Sequence, residues 1–189
     1  MKKDRKNIIL QSLASMLEEK NLSKITTASL AEKSKITEAA LYRHFPSKRS
    51  IYAELFSFCD DTIFAKCNEL KKENISAQEK VKKIFIFFML FIEKNKGFAR
   101  LLSREALSSA EQNVSNNVNQ FYERFELVLR QMLKADEKNL TTQAGISAQL
   151  IITVLEGNIG RYIRSKFKDS PSTYIENIWT LVSLSIFKN

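Results

Sequence analysis

The sequence predicts an all-α protein of nine helices, and three observations carry that prediction. Its 189 residues include only 4 glycines and 2 prolines, too few for a sheet built on tight hairpins and suited to long helices with short connections. Apolar residues recur at spacings of three and four along most of the chain, and no stretch reads as a credible strand. Serine and threonine stand where the periodic stretches begin, as helix N-caps do. An apolar content of 44% supports a real core, and the length suits one large domain or a small one joined to a larger one.

From Arg5 to Lys20, the residues Ile9, Leu10, Leu13, Met16 and Leu17 make a first amphipathic helix. Thr26 or Thr27 caps a second, which runs to about Ser34 with Glu32 and Lys33 on its outer side. The third, Glu38 to Phe45, starts on the capping Thr37 and stops at Pro46. Ser47 caps a long fourth helix to about Lys72, with Ile51, Leu55, Phe58, Ile63 and Leu70 as its main apolar positions. Ser76 caps a fifth from Ala77 to about Lys94. Asn95-Lys96-Gly97 ends it, Gly97 being available for a left-handed cap. A shorter sixth helix covers Phe98 to about Leu107. The seventh, residues 111–134, carries Val114, Val118, Phe121, Tyr122, Phe125, Leu129 and Met132. Thr141-Thr142 caps an eighth from Gln143 to about Phe167, Pro171 breaks the chain, and Ser172 opens the last helix to Phe187. Repeats, low-complexity segments and flexible linkers are not seen.

The net charge of +9 is uneven: residues 1–50 carry 11 Lys/Arg against 5 Asp/Glu, the remainder 19 against 16. A basic first quarter on a near-neutral body suits a polyanion-binding head. Cys59 and Cys67, eight apart on one helix, are about 12 Å apart along its axis, too far to share a disulfide or a metal. His44 is the single histidine, so no metal site and no cofactor is expected. The basic start resembles a secretion signal only faintly, because Gln11, Ser12, Ser15, Glu18 and Glu19 interrupt its apolar part. The most apolar run, Ile84 to Ile92, is too short to span a bilayer. A cytoplasmic protein is expected.

The stretch Thr37-Glu-Ala-Ala-Leu-Tyr-Arg-His-Phe-Pro-Ser-Lys48, preceded by Thr26 to Lys33, reads as a helix-turn-helix. Thr37 caps the recognition helix or turns its hydroxyl to DNA. Ala39 and Ala40 are small enough to let the helix approach base edges and meet a thymine methyl. Leu41 and Phe45, four apart, hold the helix on the first two. Tyr42, Arg43 and His44 project toward the phosphates, with Arg43 best placed to reach a base. Lys48 adds a cation where the next helix's N–H groups already favour a phosphate. Thr26 and Thr27 serve the other side of the groove, with Arg5 and Lys6 near the flanking backbone.

This ordered string resembles the DNA-reading unit of the tetracycline-repressor (TetR) family of bacterial regulators. The resemblance implies a TetR-like architecture, a three-helix DNA-binding domain at 1–47 and a helical dimerisation and regulatory domain at 48–189. One departure is visible: the turn before the recognition helix usually holds glycine, and here Lys35 or a neighbour takes its place. Stretches such as Asn119-Gln-Phe-Tyr-Glu-Arg124, Glu156-Gly157 and Arg161 to Lys168 are further similar to the nucleoid-occlusion inhibitors of division within that family. This likeness implies a protein that binds double-stranded chromosomal DNA at pseudo-palindromic sites as a homodimer or paired dimers, and that antagonises the tubulin-like division GTPase FtsZ.

In the body, Val81, Ile84, Phe85, Phe88, Phe91 and Ile92 share one face of the fifth helix, at about 100° per residue. Phe87, Leu90 and Lys94 make a second stripe, an apolar pair ending in a cation. With Phe58, Lys66 and Asn95 they match the positions through which the resembling inhibitors engage the GTPase tail. The last two helices carry broad apolar faces, with Leu150, Val154, Leu155, Trp179, Leu181 and Val182 expected at a four-helix dimer interface. Gly157 and Gly160 weaken their helix unless something packs close. An effector-responsive repressor is the other reading, in which the phenylalanines near Phe85, Phe87, Phe88, Phe91 and Phe98 would line a pocket. Phenylalanines at helical spacing are ordinarily core, and no polar groups converge on them. An enzyme is not expected: there is no glycine-rich phosphate loop, and no nucleophile has a histidine partner outside the head.

Overall fold

The computed structural model describes residues 2–19, 22–107 and 112–188. Nine α-helices lie among them: α1 (Lys2–Leu17), α2 (Thr27–Lys33), α3 (Glu38–His44), α4 (Lys48–Lys72), α5 (Ala77–Lys94), α6 (Lys96–Leu102), α7 (Gln112–Lys134), α8 (Ala144–Arg164) and α9 (Ile175–Ile186). Three short 3₁₀ turns, Leu22–Lys24, Glu137–Asn139 and Pro171–Thr173, also lie among the described residues. Among the described residues the extended pairing is limited to one isolated antiparallel bridge, Leu140 with Phe187. Lys20 and residue 111, expected at the end of the first helix and the start of the seventh, lie outside the described residues.

The contacts divide the chain into two compact units, Met1–Asp60 with Asn95–Val118, and Asp61–Lys94 with Asn119–Asn189. The unit that holds the head is therefore larger than residues 1–47, because α6 packs on α1. Gly97 explains why. Its place in the sequence suggests a left-handed helix cap, but it lies buried inside α6 with no positive φ. A Cβ there would stand 2.9 Å from the Ala14 carbonyl oxygen and 3.0 Å from Leu17 Cβ. Glycine is required for close approach of two helices, not for a turn. The expected boundaries move accordingly: α6 begins at Lys96 and ends at Leu102, where Ser103 and Arg104 (φ 61°) turn the chain.

In the second unit α5 packs against α8, α9 and the 171–173 turn. Phe85 meets Trp179 at 5.5 Å, and Phe88, Phe121 and Phe125 pack together with centroids 5.1–6.2 Å apart. These rings are fully or almost fully buried, and each such side chain contributes about 1.5–3 kcal/mol to folding. Phe85 and Phe88 thus fill the core of this unit, while Phe98 packs on Phe56 at 5.7 Å in the first. Two caps stand where the sequence places them. Ser76 and Glu79 form a reciprocal box at the start of α5, and Ser47 and Ser50 another at the start of α4. Thr141 does something else: its hydroxyl donates to the carbonyls of Ser185 (2.6 Å) and Ile186 (3.1 Å), closing the end of α9, and Gln143 stands at the N-cap of α8 without a side-chain bond. Ser172 does not open α9 either. It sits in the 3₁₀ turn, and α9 starts at Ile175.

Candidate nucleic-acid interface

The head's functional side chains sit on α1 to α4, and local devices fix α2 and α3. α2 starts on a capping box: Ser29 N–H donates to Thr26 Oγ1 at 3.1 Å and Thr26 N–H to Ser29 Oγ at 2.9 Å. Thr26 is therefore the cap and Thr27, half-buried, is the first helical residue. Between α2 and α3, Lys35 takes φ 55°, and Ile36 N–H reaches back to the Ala31 carbonyl at 3.0 Å. Lys35 fills the position that glycine would ordinarily hold, at a cost on the order of 1 kcal/mol. Thr37 Oγ1 accepts the Ala40 N–H at 3.2 Å and so caps α3.

Leu41 and Phe45 are 0% and 2% exposed and pin α3 to the head's core. The opposite side shows Thr37, Ala39, Tyr42 and Arg43 to solvent, with Ala40 and His44 half-buried beside them. Tyr42 is 47% exposed, so it is not a packing residue. Lys48, at the start of α4, lies with its ammonium 5.3 Å from the Tyr52 ring centroid. Lys6 lies 5.1 Å from the Phe45 ring and 3.8 Å from Glu54, and Arg5 is exposed on the same helix. These cations share one unit with the solvent face of α3, an arrangement that can neutralise phosphates and admit a small-residue helix to base edges.

The remaining expected site residues divide. Leu90 is 36% exposed, Lys94 is exposed, and Phe87 is half-buried with its ring 6.0 Å from Phe91. Lys66, in the same unit, pairs with Glu69 at 2.7 Å. Phe58 is 64% exposed, and Asn95 stands at the N-cap of α6; both belong to the first unit. Phe58 is thus not one of α4's core positions. On α8 and α9 the expected interface set is half wrong: Leu155, Trp179 and Val182 are at most 6% exposed. They face their own core, Trp179 against Phe85. The outward side carries Leu150, half-buried Val154 and Leu181, and also Ile146 and Leu184, which the sequence pattern did not single out as interface. Helical spacing groups both with expected interface residues, since 146, 150 and 154 are four apart and 181 and 184 three apart.

Buried Cys59 and Cys67 have thiols pushed up to about 12 and about 11, by burial in both cases and for Cys59 also by Asp60. Among the described residues no group of three His, Cys, Asp or Glu could hold a metal, and no helix is long and apolar enough to cross a membrane.

Residues 9–55 match the family described as bacterial regulatory proteins, tetR family, and residues 76–186 match the SlmA-like family described as tetracyclin repressor-like, C-terminal domain. The chain belongs to the TetR family, in its SlmA-like branch. It is 35% identical to the nucleoid occlusion factor SlmA of Vibrio vulnificus over 98% of this chain and 97% of that one. It is also 35% identical to the SlmA of a Marinomonas species, over 100% of this chain and 98% of the relative. Solved TetR-like structures share the fold alone. NalD, the secondary repressor of the MexAB-OprM multidrug efflux pump in Pseudomonas aeruginosa, superposes with TM-score 0.80 at 14% identity, covering 100% of this chain and 98% of that one. MbdR from Azoarcus superposes with TM-score 0.81 at 13% identity, covering 97% and 100%. As a TetR-family regulator the chain is not an enzyme.

Proposed function

We propose that this chain is a nucleoid-occlusion factor: a dimer that binds specific duplex sites on the chromosome and, from there, antagonises assembly of the division GTPase FtsZ. The observation that carries this reading is where the likeness lies. SlmA relatives stay similar through the body as well as the head, whereas NalD and MbdR, of the same fold, share only 14% and 13% of their residues with this chain.

α3 enters the major groove with Ala39 and Ala40 against base edges and Arg43 reaching a base. Tyr42, His44 and Lys48 hold phosphates, Lys48 together with the first N–H groups of α4. Thr37 has its oxygen committed to the cap, so it offers DNA its proton. Thr26 acts mainly as a cap, with Thr27, Arg5 and Lys6 along the flanking backbone. Two copies pair through the outward faces of α8 and α9, built on Ile146, Leu150, Val154, Leu181 and Leu184. Gly157 supports this pairing. It sits mid-helix and exposed, and a Cβ there would meet nothing within 4 Å in its own chain. A residue that weakens its helix by about 1 kcal/mol without an internal reason fits a place where a partner backbone crosses. The GTPase tail docks on Phe87, Leu90 and Lys94 of the second unit, an apolar pair ending in a cation that suits an apolar and acidic peptide, with Lys66 of the same unit as a further contact.

The test is FtsZ polymerisation measured by pelleting, with the chain and a duplex it has selected. Polymer falls with the wild-type chain; Lys94→Glu restores it and leaves duplex affinity unchanged. Polymer unaffected by the wild-type chain contradicts the division role and leaves a DNA-binding regulator.

A further inference from the structure

Arg100 is a buried cation far in sequence from the groove-facing residues, yet it ends on the head. It lies on α6, 7% exposed. Its guanidinium Nη1 donates to the Leu17 carbonyl at 2.9 Å and to the Glu19 carbonyl. Leu17 is the last residue of α1, where a helix leaves its closing carbonyls open, and Glu19 follows two residues on. A cation there also answers the negative end of the helix dipole. One turn earlier on the same helix, Gly97 lets α6 touch α1 at Ala14 and Leu17. The two features register α6 on the last turns of α1.

Past that cap, α1 leads into Glu19. Its carboxylate takes the Lys33 ammonium at 2.6 Å. Lys33 is the last residue of α2, two before Lys35, whose positive φ sets the turn into the recognition helix. Arg100 holds the Glu19 backbone, and the Glu19 side chain holds the end of α2. We propose that Arg100 is a positioning residue for the helix-turn-helix, acting through Glu19 and Lys33 on the α2–α3 turn. The proposal rests on the reading of this head as a duplex-binding unit.

The experiment compares the full-length chain with Arg100→Gln, Glu19→Gln and Lys33→Gln. In Arg100→Gln the amides of Ser34, Lys35 and Ile36 exchange faster by mass-resolved hydrogen exchange. Affinity for a duplex selected by the wild-type chain falls about tenfold, with an unchanged slope of log affinity against log salt, because no phosphate contact has been removed. Adding Glu19→Gln to Arg100→Gln costs little more, since both break one path. Unchanged exchange at the turn, additive losses, or a slope reduced by about one would each overturn the proposal. Should Arg100→Gln fail to fold, the exposed pair decides: faster turn exchange in Glu19→Gln and Lys33→Gln supports it, and wild-type exchange in both overturns it. A wild-type chain that selects no duplex refutes the DNA-binding reading, and the exchange comparison still decides the role of Arg100.

Discussion

Tyr42, Arg43 and Lys48 owe their orientation to what their neighbours bury. Leu41 and Phe45 leave α3 no other way to lie. Because they are not part of the core, Tyr42→Ala, Arg43→Ala and Lys48→Ala should each weaken duplex binding by about 1–3 kcal/mol at fixed salt while leaving the thermal midpoint within about a degree or two. Fluorescence anisotropy and calorimetry check both halves. Lys35 offers a separate test. Its left-handed backbone costs on the order of 1 kcal/mol, so Lys35→Gly should hold or slightly raise stability in urea, offset by the glycine's extra freedom in the unfolded chain. These residues were legible in the sequence because a capping threonine, two inward pegs and a proline stop fix which side chains face out. Arg100 was not, since its partners are backbone carbonyls 81 and 83 residues away.

Helices were legible wherever their boundaries depend on local chemistry. Ser47 with Ser50 and Ser76 with Glu79 cap as their spacing suggests. Boundaries set by distant packing were not: Gly97 reads as a stop and proves to be a contact, and Thr141 reads as a cap and proves to clasp the end of α9. Gly97→Ala should therefore destabilise by about 1–3 kcal/mol in urea unfolding, because the new methyl meets backbone that must shift. Glu93 gives an element-scale pH dependence. Burial raises its carboxyl, but hydrogen bonds from Ser170 and Ser172, with help from Lys94, outweigh that and hold it below its usual 4.5. A carboxyl lower in the folded chain than in the unfolded one stabilises fully above that range and loses its contribution as pH falls through it. Unfolding midpoints should drop below about pH 4.5, and the drop should be smaller in Glu93→Gln, which lacks the titrating group.

At the scale of the whole molecule, the outward apolar faces of α8 and α9 and the exposed Gly157 ask for a second copy. Leu181→Glu and Leu184→Glu, both surface substitutions in the single chain, should give monomers by light scattering and uncouple the two half-sites; dimers persisting in both would place the interface elsewhere. Sequence periodicity located these helices but not which of their two apolar faces looks inward. Leu155, Trp179 and Val182 went to the core, where the aromatic rings of α5 were waiting. The central claim, that this TetR-family chain works across the chromosome and not at one operator, is tested most directly by mapping its bound sites genome-wide in growing cells. Many sites scattered over the chromosome, all lost in Arg43→Ala, is the predicted result; a single site beside its own gene would contradict it.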